Sequence, residues 1–466
     1  MFKKGSVGNP QQYRGIHLTA VISKVAERVI AKVLASYLEE TGSFGESQWA
    51  FQNGKSCRDL VALLAMKWVL GLHGGQKTGV YFSDVSGAFD RVSTEILLGK
   101  LAAAGVDDEM VAFLASYLKA RRCTILVDGS KSQPFPLEDT VFQGVVLGPK
   151  LWNLFFQDVT EAIPDECSDY KFADDLTCDK VFSSETTNEQ IREELTVCQQ
   201  AVHQWGVQNR VAFDPGKEDF AVIHATEGEG KDFRLLGTWW DTGLRMETNV
   251  RRIVAKARPK VDAILRSRRF YSTRDLVRQY KTHVLCLLEG NSAAFYHALD
   301  SVLEPLEKLQ AHFLSEVGLS AAQAFLEHNL APLRTRRDIA MLALIFKCTH
   351  GLAHKQLQNQ FPRAPLPVHV YDTKFRAHRH ALQLEESRAG THHALLRRSI
   401  FGLTRVWNRL PSTLVEASTV TNFQKSLTEM VRTSCRMKDF DWVEVLSHRA
   451  ALIRECPQFE KLCINS

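Results

Sequence analysis

The chain has 466 residues, 45% hydrophobic and 24% charged, and this composition predicts a globular protein of about two to four domains. No apolar run approaches about 18 residues, which excludes a membrane span. The formal net charge of +5 is unevenly distributed: residues 1–230 carry 22 Lys and Arg against 31 Asp and Glu, whereas residues 231–466 carry 36 against 22. The second half therefore either holds a polyanion or presents a solvated basic surface.

Cysteine usage and the start of the chain bear on location. The cysteines are scattered and form no Cys-x-x-Cys pair, so a zinc site is not expected. His378, His380, His392 and His393 also lack cysteine partners at zinc-knuckle spacing and are interpreted as surface or core groups. With no signal peptide, the chain is expected to be intracellular, in the nucleus and/or the cytoplasm.

The predicted elements run along the chain as helices, then a mixed region, then helices again. Hydrophobic periodicity and turn residues predict, in order, helices over 18–38 and 58–70, a short buried strand over 80–82, helices over 94–104 and 108–118, a hairpin around Asp128-Gly129 and a helix over 150–163. They then predict two strands over 170–182, a helix over 188–207, strands over 221–224 and 233–239, and a mostly helical chain from about residue 248. This order indicates an α+β protein with a helical C-terminal region.

Two acidic clusters interrupt apolar, strand-like segments about ninety residues apart. Asp84 follows the strand predicted over 80–82, and Asp174-Asp175 lie where the two strands over 170–182 join. Uncompensated burial of adjacent carboxylates costs several kcal/mol, which divalent ions bound to phosphates would offset. Two such ions neutralise the attacking and leaving oxygens in many polymerases and nucleases. An isolated Asp-Asp pair is more often a turn or a solvated face, so the flanking sequence decides.

The flanking sequence contains an ordered set of motifs over about 240 residues. The first motifs are Tyr13-Arg14-Gly15-Ile16-His17-Leu18, residues 23–30, Glu46-Ser47-Gln48-Trp49-Ala50-Phe51-Gln52-Asn53-Gly54-Lys55-Ser56-Cys57 and residues 84–92. They are followed by Phe142-Gln143-Gly144-Val145-Val146-Leu147-Gly148-Pro149 and Phe172-Ala173-Asp174-Asp175. The last are the spaced residues Trp205, Asn209, Phe213 and Lys217, and then Leu235-Leu236-Gly237. Together they resemble the reverse transcriptases of non-LTR (LINE-type) retrotransposons. The resemblance implies a right-hand polymerase of fingers, palm and thumb. It places the fingers and palm at 1–230, the primer grip and helical thumb at 231–300, and a helical C-terminal region of unknown role at 301–466.

The same resemblance implies roles for individual residues near the acidic clusters. Asp84, Asp174 and Asp175 would bind two Mg²⁺ ions, with Mn²⁺ as a possible substitute. Phe89 would exclude the ribose 2′-hydroxyl, because a ring packed under the sugar leaves no room for another oxygen. Without its motif, Phe89 would be interpreted as an ordinary core residue.

Further roles concern the template, the nucleotide and its phosphates. Gln143 and Gly144 would line the template and the incoming nucleotide, where glycine permits close backbone approach. Arg14 and Lys24 would hold phosphates, and Lys217 would protonate the leaving pyrophosphate. For these three cations a solvated surface position is the alternative.

A basic helix is predicted after residue 248. Arg251, Arg252, Lys256 and Lys260 alternate with an apolar stripe, which predicts one docked face and one face that binds nucleic acid. A charged surface helix without a ligand is the alternative.

The motifs therefore predict an RNA-directed DNA polymerase that uses an RNA template, a DNA primer and dNTP, in a chain expected to lack an endonuclease domain. One alternative is a catalytically inactive, nucleic-acid-binding remnant of such an element. Another is an RNA-dependent RNA polymerase, against which the aromatic Phe89 argues.

Overall fold

The computed structural model describes residues 2, 6–9, 12–13, 15–119, 121–364, 380–386, 388–439 and 441–448. The chain folds into two compact units. The first unit comprises Met1–Asn53, Gly79–Lys180 and Thr186–Ala221, and the second comprises Gly54–Thr78, Val181–Glu185 and Val222–Ser466. Within the described ranges, no helix combines the length and apolar character needed to cross a bilayer.

Helices make up most of the regular structure. Helices α1 to α7 are Val21–Glu40, Cys57–His73, Thr94–Ala103, Asp108–Leu118, Gly148–Phe155, Val159–Ala162 and Asn188–Gln208. Helices α8 to α19 are Glu247–Arg266, Thr273–Tyr280, Cys286–Leu288, Ser292–Phe295, Asp300–Glu316, Ala321–His328, Leu333–Thr349, Lys355–Gln358, His393–Arg398, Thr404–Trp407, Ser412–Val415 and Val420–Arg436. Short 3₁₀ turns include Ala88–Asp90 and Arg268–Phe270.

The strands are short and form one four-stranded sheet with separate two-stranded ribbons. Strands β1 to β10 are Lys77–Asp84, Arg121–Cys123, Leu126–Val127, Ser130–Lys131, Phe135–Leu137, Ser168–Phe172, Asp175–Phe182, Asp219–Ile223, Phe233–Leu235 and Thr238–Trp240. The larger sheet has the order β6-β7-β1-β8. Every residue of β1 is buried, as expected for an inner strand, and the buried strand predicted over 80–82 lies within it.

Aromatic side chains form the core of the first unit. The rings of Trp152 and Phe156 stack with their centroids 5.2 Å apart, and Trp205 meets Phe156 edge-on at 5.5 Å. Trp152 and Phe156 are fully buried, and Trp205 is nearly so. These contacts hold α5 and α7 together close to the sheet.

The second unit is built from a hairpin and a helical array. The β9–β10 hairpin closes with Leu235 opposite Thr238, and buried Trp240 meets Trp68 of α2 at 4.8 Å. Further along, Phe346 of α14 stacks on Phe423 of α19 with centroids 4.7 Å apart. The helical character predicted from about residue 248 onward is confirmed for the described residues.

The predicted helix over 150–163 is wrong, because the structure has two helices, α5 and α6, in its place. Two lysine amines accompany the break: Lys100 Nζ donates to Phe155 O at 2.7 Å, and Lys171 Nζ donates to Gln157 O at 2.8 Å. The lysine amines thus donate to carbonyls that backbone N–H groups would bond in a continuous helix. The strand predicted over 233–239 is also corrected, since it is the β9–β10 pair with its turn.

Candidate active site

Two neighbouring strands bring the predicted catalytic carboxylates together. Asp84 is the last residue of β1, Asp175 is the first residue of β7, and β7 lies beside β1 in the sheet. Asp174 sits in the turn between β6 and β7, and its carbonyl accepts a hydrogen bond from the Val85 N–H at 3.3 Å. Asp84 therefore meets Asp174 and Asp175, which lie about ninety residues further along the chain, at one place in the first unit.

The electrostatics of this cluster favour a bound cation. Burial raises the pKa of Asp175 to about 7, and the negative charges of Asp174 and Asp84 act in the same direction. The positive charge of Lys217 acts in the opposite direction, but the net effect is still a raised pKa of Asp175. A proton or a positive ion among the carboxylates relieves this repulsion.

Lys217 supplies one positive charge at the edge of the cluster. Its Nζ donates to Asp84 Oδ2 and lies 3.8 Å from Asp214 Oδ2. Burial lowers the pKa of Lys217, but the hydrogen bond to Asp84 and nearby carboxylate charges outweigh it, so the pKa is raised. The Asp214 N–H also donates to Asp84 O at 2.9 Å, which fixes the loop carrying Lys217 to the end of β1.

The donor set fits a metal ion that shares its ligands with a substrate. Within the ranges that the structure describes, no group of three or more His, Cys, Asp or Glu side chains is arranged to hold an ion by itself. Mg²⁺ in nucleotide enzymes is commonly held by one or two carboxylates together with substrate phosphates. The oxygens of Asp84, Asp174 and Asp175 are hard ligands of this kind.

The turn that carries Asp174 adopts an uncommon backbone conformation. Ala173 has a φ of 59°, in the left-handed region that favours glycine, and it is the first of the two residues between the paired Phe172 and Asp175. Gln48 Oε1 accepts from Ala173 N at 3.0 Å, and Gln48 Nε2 donates to Ala173 O at 3.3 Å. Trp152 Nε1 donates to the same carbonyl at 2.9 Å. Two buried side chains, Gln48 and Trp152, therefore clamp Ala173, the turn residue with the positive φ.

Gln48 was not identified from the sequence as a residue of the site. It is fully buried, and its Oε1 also accepts from Ala50 N at 3.0 Å. The available signal was an amide side chain directly before the apolar residues Trp49, Ala50 and Phe51, because an amide that is buried with them must find hydrogen-bond partners. The sequence does not show that those partners lie 125 residues away.

Phe89 lies beside the clamp. It belongs to the 3₁₀ turn Ala88–Asp90, and its ring stacks on Trp152 with centroids 5.7 Å apart and an interplanar angle of 27°. The Phe89 carbonyl accepts from Val141 N at 3.0 Å and from Thr140 Oγ1 at 2.9 Å. These bonds tie Phe89 to the segment that leads into Gln143.

The Gln143-Gly144 segment packs against the residues before α1. Gln143 O accepts from His17 N at 2.9 Å, and His17 O lies 3.3 Å from where a Cβ on Gly144 would stand. Gly144 also has a φ of 100°, so both conformation and space favour glycine. Lys24 is half-buried on α1, and Arg14 lies outside the described residues.

The predicted nucleic-acid-binding cations lie in the second unit on α8. Arg251, Arg252, Lys256 and Lys260 are exposed, and the buried residues of the same helix are Asn249, Val250, Ala257, Val261, Ile264 and Leu265. The Arg252 guanidinium stacks 3.9 Å above the Trp239 ring of β10. The helix therefore has the predicted docked and exposed faces, and the ligand of its exposed face stays a prediction.

Comparison with known proteins identifies the class. The model of the reverse transcriptase (RNA-dependent DNA polymerase) family matches residues 2–239, and the chain belongs to this family. A probable RNA-directed DNA polymerase from transposon BS of Drosophila melanogaster is 30% identical over 190 residues, which cover 40% of this chain and 21% of the relative. The RNA-directed DNA polymerase from mobile element jockey of Drosophila funebris is 26% identical over 211 residues, which cover 44% of this chain and 23% of the relative.

These relatives confirm the prediction of a non-LTR retrotransposon reverse transcriptase and, with it, the α+β right-hand fold. The chain spans little more than a fifth of the length of either relative. Among solved structures, apo telomerase from Candida tropicalis aligns with a TM-score of 0.38 and 12% identity, covering 65% of this chain and 53% of that one. Reverse transcriptases generally use divalent metal ions, and the carboxylate cluster suits such an ion.

Proposed function

We propose that this chain catalyses RNA-directed DNA synthesis for a non-LTR retrotransposon. The 3′-hydroxyl of a DNA primer attacks the α-phosphate of a dNTP paired with an RNA template, and pyrophosphate leaves. The observation that carries the proposal is the meeting of Asp84, Asp174 and Asp175 at the ends of adjacent strands, where burial, together with repulsion between the carboxylates, raises the pKa of Asp175 to about 7. Membership of the reverse transcriptase family supports it independently.

Each residue of the site has a role in this reaction. Asp84, Asp174 and Asp175 hold Mg²⁺, or Mn²⁺ in its place, which when bound neutralises charge on the attacking and leaving oxygens. Lys217 is kept charged by Asp84 and donates a proton to the departing pyrophosphate.

The remaining predicted residues position the substrates. Phe89 lies under the deoxyribose, supported from behind by Trp152, and leaves no space for a 2′-hydroxyl. Gln143 and Gly144 line the template and the nucleotide. Lys24 and Arg14 hold phosphates.

The division of the chain and its location are part of the same proposal. We assign fingers and palm to residues 1–230, the primer grip and thumb to 231–300, and an undefined helical role to 301–466. The exposed cations of α8 hold the template and primer by their phosphates. The protein acts inside the cell, in the nucleus and/or the cytoplasm, where it meets both nucleic acids.

Primer extension on an RNA template with Mg²⁺ tests the reaction. Asp174→Asn should lower incorporation by roughly 100-fold or more, since it removes a charge from the metal-binding cluster. Binding of the primer and template should persist. Asp128→Asn is the matched control, because Asp128 is an exposed turn residue with a φ of 47°, a conformation that asparagine tolerates equally.

Undiminished synthesis by Asp174→Asn would contradict the assignment of the site. If the wild-type chain binds nucleic acid but incorporates nothing with Mg²⁺ or Mn²⁺, the polymerase proposal is wrong and the inactive remnant is favoured.

The choice of sugar is tested at Phe89. Replacing Phe89 with alanine removes the ring from beneath the sugar while Trp152 stays in place. We expect ribonucleotide incorporation to rise roughly 10-fold or more relative to deoxynucleotide incorporation. The measurement is the ratio of kcat/KM for a ribonucleotide and its deoxy counterpart. A wild-type enzyme that already prefers ribonucleotides would instead indicate an RNA polymerase.

A further inference from the structure

Two large aromatic side chains stand exposed side by side at the turn between α8 and α9. Phe270 is 70% exposed and Tyr271 is 51% exposed. Phe270 is the last residue of the 3₁₀ turn Arg268–Phe270, and Tyr271 follows it directly before the Ser272 cap of α9. The turn thus presents aromatic surface to solvent, and packing within the chain leaves this surface unexplained.

Arginines surround the aromatic pair. Residues 266–278 contain five exposed arginines and a single acidic residue, Asp275, and the arginines are Arg266, Arg268, Arg269, Arg274 and Arg278. The Asp275 carboxylate accepts a hydrogen bond at 2.6 Å from Oγ of Ser272, the residue that caps α9, and so is engaged within its own helix terminus. Arg268 pairs with Glu316 at 3.0 Å, and the Arg269 guanidinium lies 4.7 Å from the Phe270 ring centre. The surface is therefore strongly basic as well as aromatic.

We propose that this surface, the Phe270 platform (Arg269, Phe270, Tyr271 and Arg274), binds an unpaired stretch of RNA. Bases of a single strand stack on exposed aromatic rings and on guanidinium planes, while arginines neutralise the adjacent phosphates. In a duplex the base faces are already covered by neighbouring base pairs, so the aromatic pair favours unpaired nucleotides. An acidic protein surface would match the arginines and leave the two rings without a stacking partner.

The choice of RNA over DNA rests on the proposed function, because an RNA-directed polymerase must hold its template before copying it. The platform lies in the helical region that we assign to the thumb, and it is separate in sequence from the carboxylate cluster. Stacking at the platform requires neither dNTP nor metal. Its test can therefore fail or succeed independently of polymerisation.

Equilibrium binding of a fluorescent single-stranded RNA to the full chain, without metal or dNTP, tests the platform. The double variant Phe270→Leu/Tyr271→Leu keeps apolar side chains but removes the rings. We expect its affinity for the RNA to fall roughly 5- to 100-fold. The slope of log affinity against log salt should stay unchanged, because no phosphate-binding cation is lost.

Matched probes and variants separate stacking from other effects. An RNA of equal length with abasic residues should bind the wild type and the double variant equally. Phe113→Leu is the control protein, since Phe113 is an exposed aromatic (44%) on α4 that follows the acidic pair Asp108 and Glu109. Phe270→Trp retains a stacking surface and should retain affinity.

Crosslinking locates the contact directly. A 4-thiouridine in the RNA should crosslink to the tryptic peptide of residues 270–274, which trypsin releases by cleaving after Arg269 and Arg274. The proposal is overturned if the double variant binds RNA like the wild type, or if crosslinks form only elsewhere in the chain. It is also overturned if the double variant loses affinity for single-stranded DNA but keeps its affinity for RNA.

Discussion

Ala173 bears the conformational strain of the turn that presents Asp174. A left-handed backbone costs a residue with a Cβ about 1–2 kcal/mol. Gln48 contributes two hydrogen bonds to Ala173 and Trp152 contributes a third, each worth about 1 kcal/mol. These bonds offset the strain, and because both side chains are buried the turn is held in one conformation. The position of Asp174 thus depends on two buried side chains that bond the residue before it.

Replacing Gln48 with methionine should loosen the carboxylate cluster. The change keeps side-chain volume but removes the donor and acceptor that clamp Ala173. We expect the affinity for Mn²⁺, measured by electron paramagnetic resonance in the presence of primer, template and dNTP analogue, to fall roughly 10-fold. The metal concentration for half-maximal synthesis should rise in parallel. The free energy of unfolding should fall by about 1–3 kcal/mol.

Asn153→Leu separates this positioning role from general destabilisation. Asn153 is also fully buried, and its Nδ2 donates to Ala50 O at 2.9 Å in the same segment as Gln48, but it does not bond Ala173. The Asn153→Leu variant should have a lower free energy of unfolding than the wild type and an unchanged affinity for Mn²⁺. Trp152→Phe, which loses the indole donor alone, should weaken Mn²⁺ binding less than Gln48→Met. Equal metal affinities in the Gln48 and Asn153 variants would refute the positioning role.

The β9–β10 hairpin shows how one element depends on a distant anchor. Its turn residues Leu236 and Gly237 have φ values of 50° and 80°, as a type I′ turn requires. Asn291 Nδ2 donates to Leu236 O and to Thr238 Oγ1, both at 3.0 Å. Asn291 itself has a φ of 52°, which asparagine tolerates better than most residues. The hairpin is therefore held by a residue that is itself in a left-handed conformation.

Substitutions at Asn291 should distinguish the contribution of its hydrogen bonds from that of its left-handed backbone conformation. Asn291→Gly loses only the hydrogen bonds, so the free energy of unfolding should fall by about 1–2 kcal/mol. Asn291→Ala loses the bonds and adds backbone strain, so it should be less stable than the glycine variant by about 1 kcal/mol. Chemical denaturation measures both values. An alanine variant as stable as the glycine variant would show that the left-handed conformation is not retained or not strained.

Sequence patterns located the elements wherever local signals and tertiary contacts agreed. Helices α3, α4 and α7 and the β6–β7 pair lie within a residue or two of their predicted positions, because periodicity and turn residues define their ends. The helix over 150–163 failed because Lys100 and Lys171 reach it from elsewhere in the chain. The Leu236-Gly237 turn divides the strand predicted over 233–239, because Leu236 continues the apolar residues of β9 up to Gly237.

The site was predictable to the extent that its residues carry charge. The aspartates stand out in apolar segments, whereas Phe89, Gln143 and Gly144 are expected at the site only from the resemblance of their motifs, and their roles stay predictions. Gln48 and Trp152 act through the backbone of Ala173. Every residue type except proline has the same backbone amide and carbonyl, so such a bond does not require a particular residue at position 173. Hydrogen bonds of this kind between distant segments become visible only in the folded chain.

At the scale of the whole chain, the uneven charge should govern how nucleic acid binding responds to salt. Residues 231–466 carry 36 basic against 22 acidic side chains, whereas residues 1–230 are net acidic. Each phosphate contact by a cation releases counterions and adds roughly 0.9 to the slope of log affinity against log salt. The exposed cations of α8 are the contacts that we propose for the phosphates of a primer–template duplex.

Neutralising three of these cations, Arg251, Lys256 and Lys260, to glutamine should lower that slope by about 2 to 3, measured with an RNA–DNA hybrid between 50 and 200 mM salt. Arg252 is left intact because its guanidinium stacks on Trp239, and its loss would disturb β10 as well as charge. The control removes the same net charge from residues 1–230, through glutamine at three exposed cations, Lys119, Lys131 and Arg192. If net charge alone attracted the hybrid, both triple variants would lose the same slope. If α8 has a phosphate-binding face, the slope should decrease in the α8 variant and stay unchanged in the control.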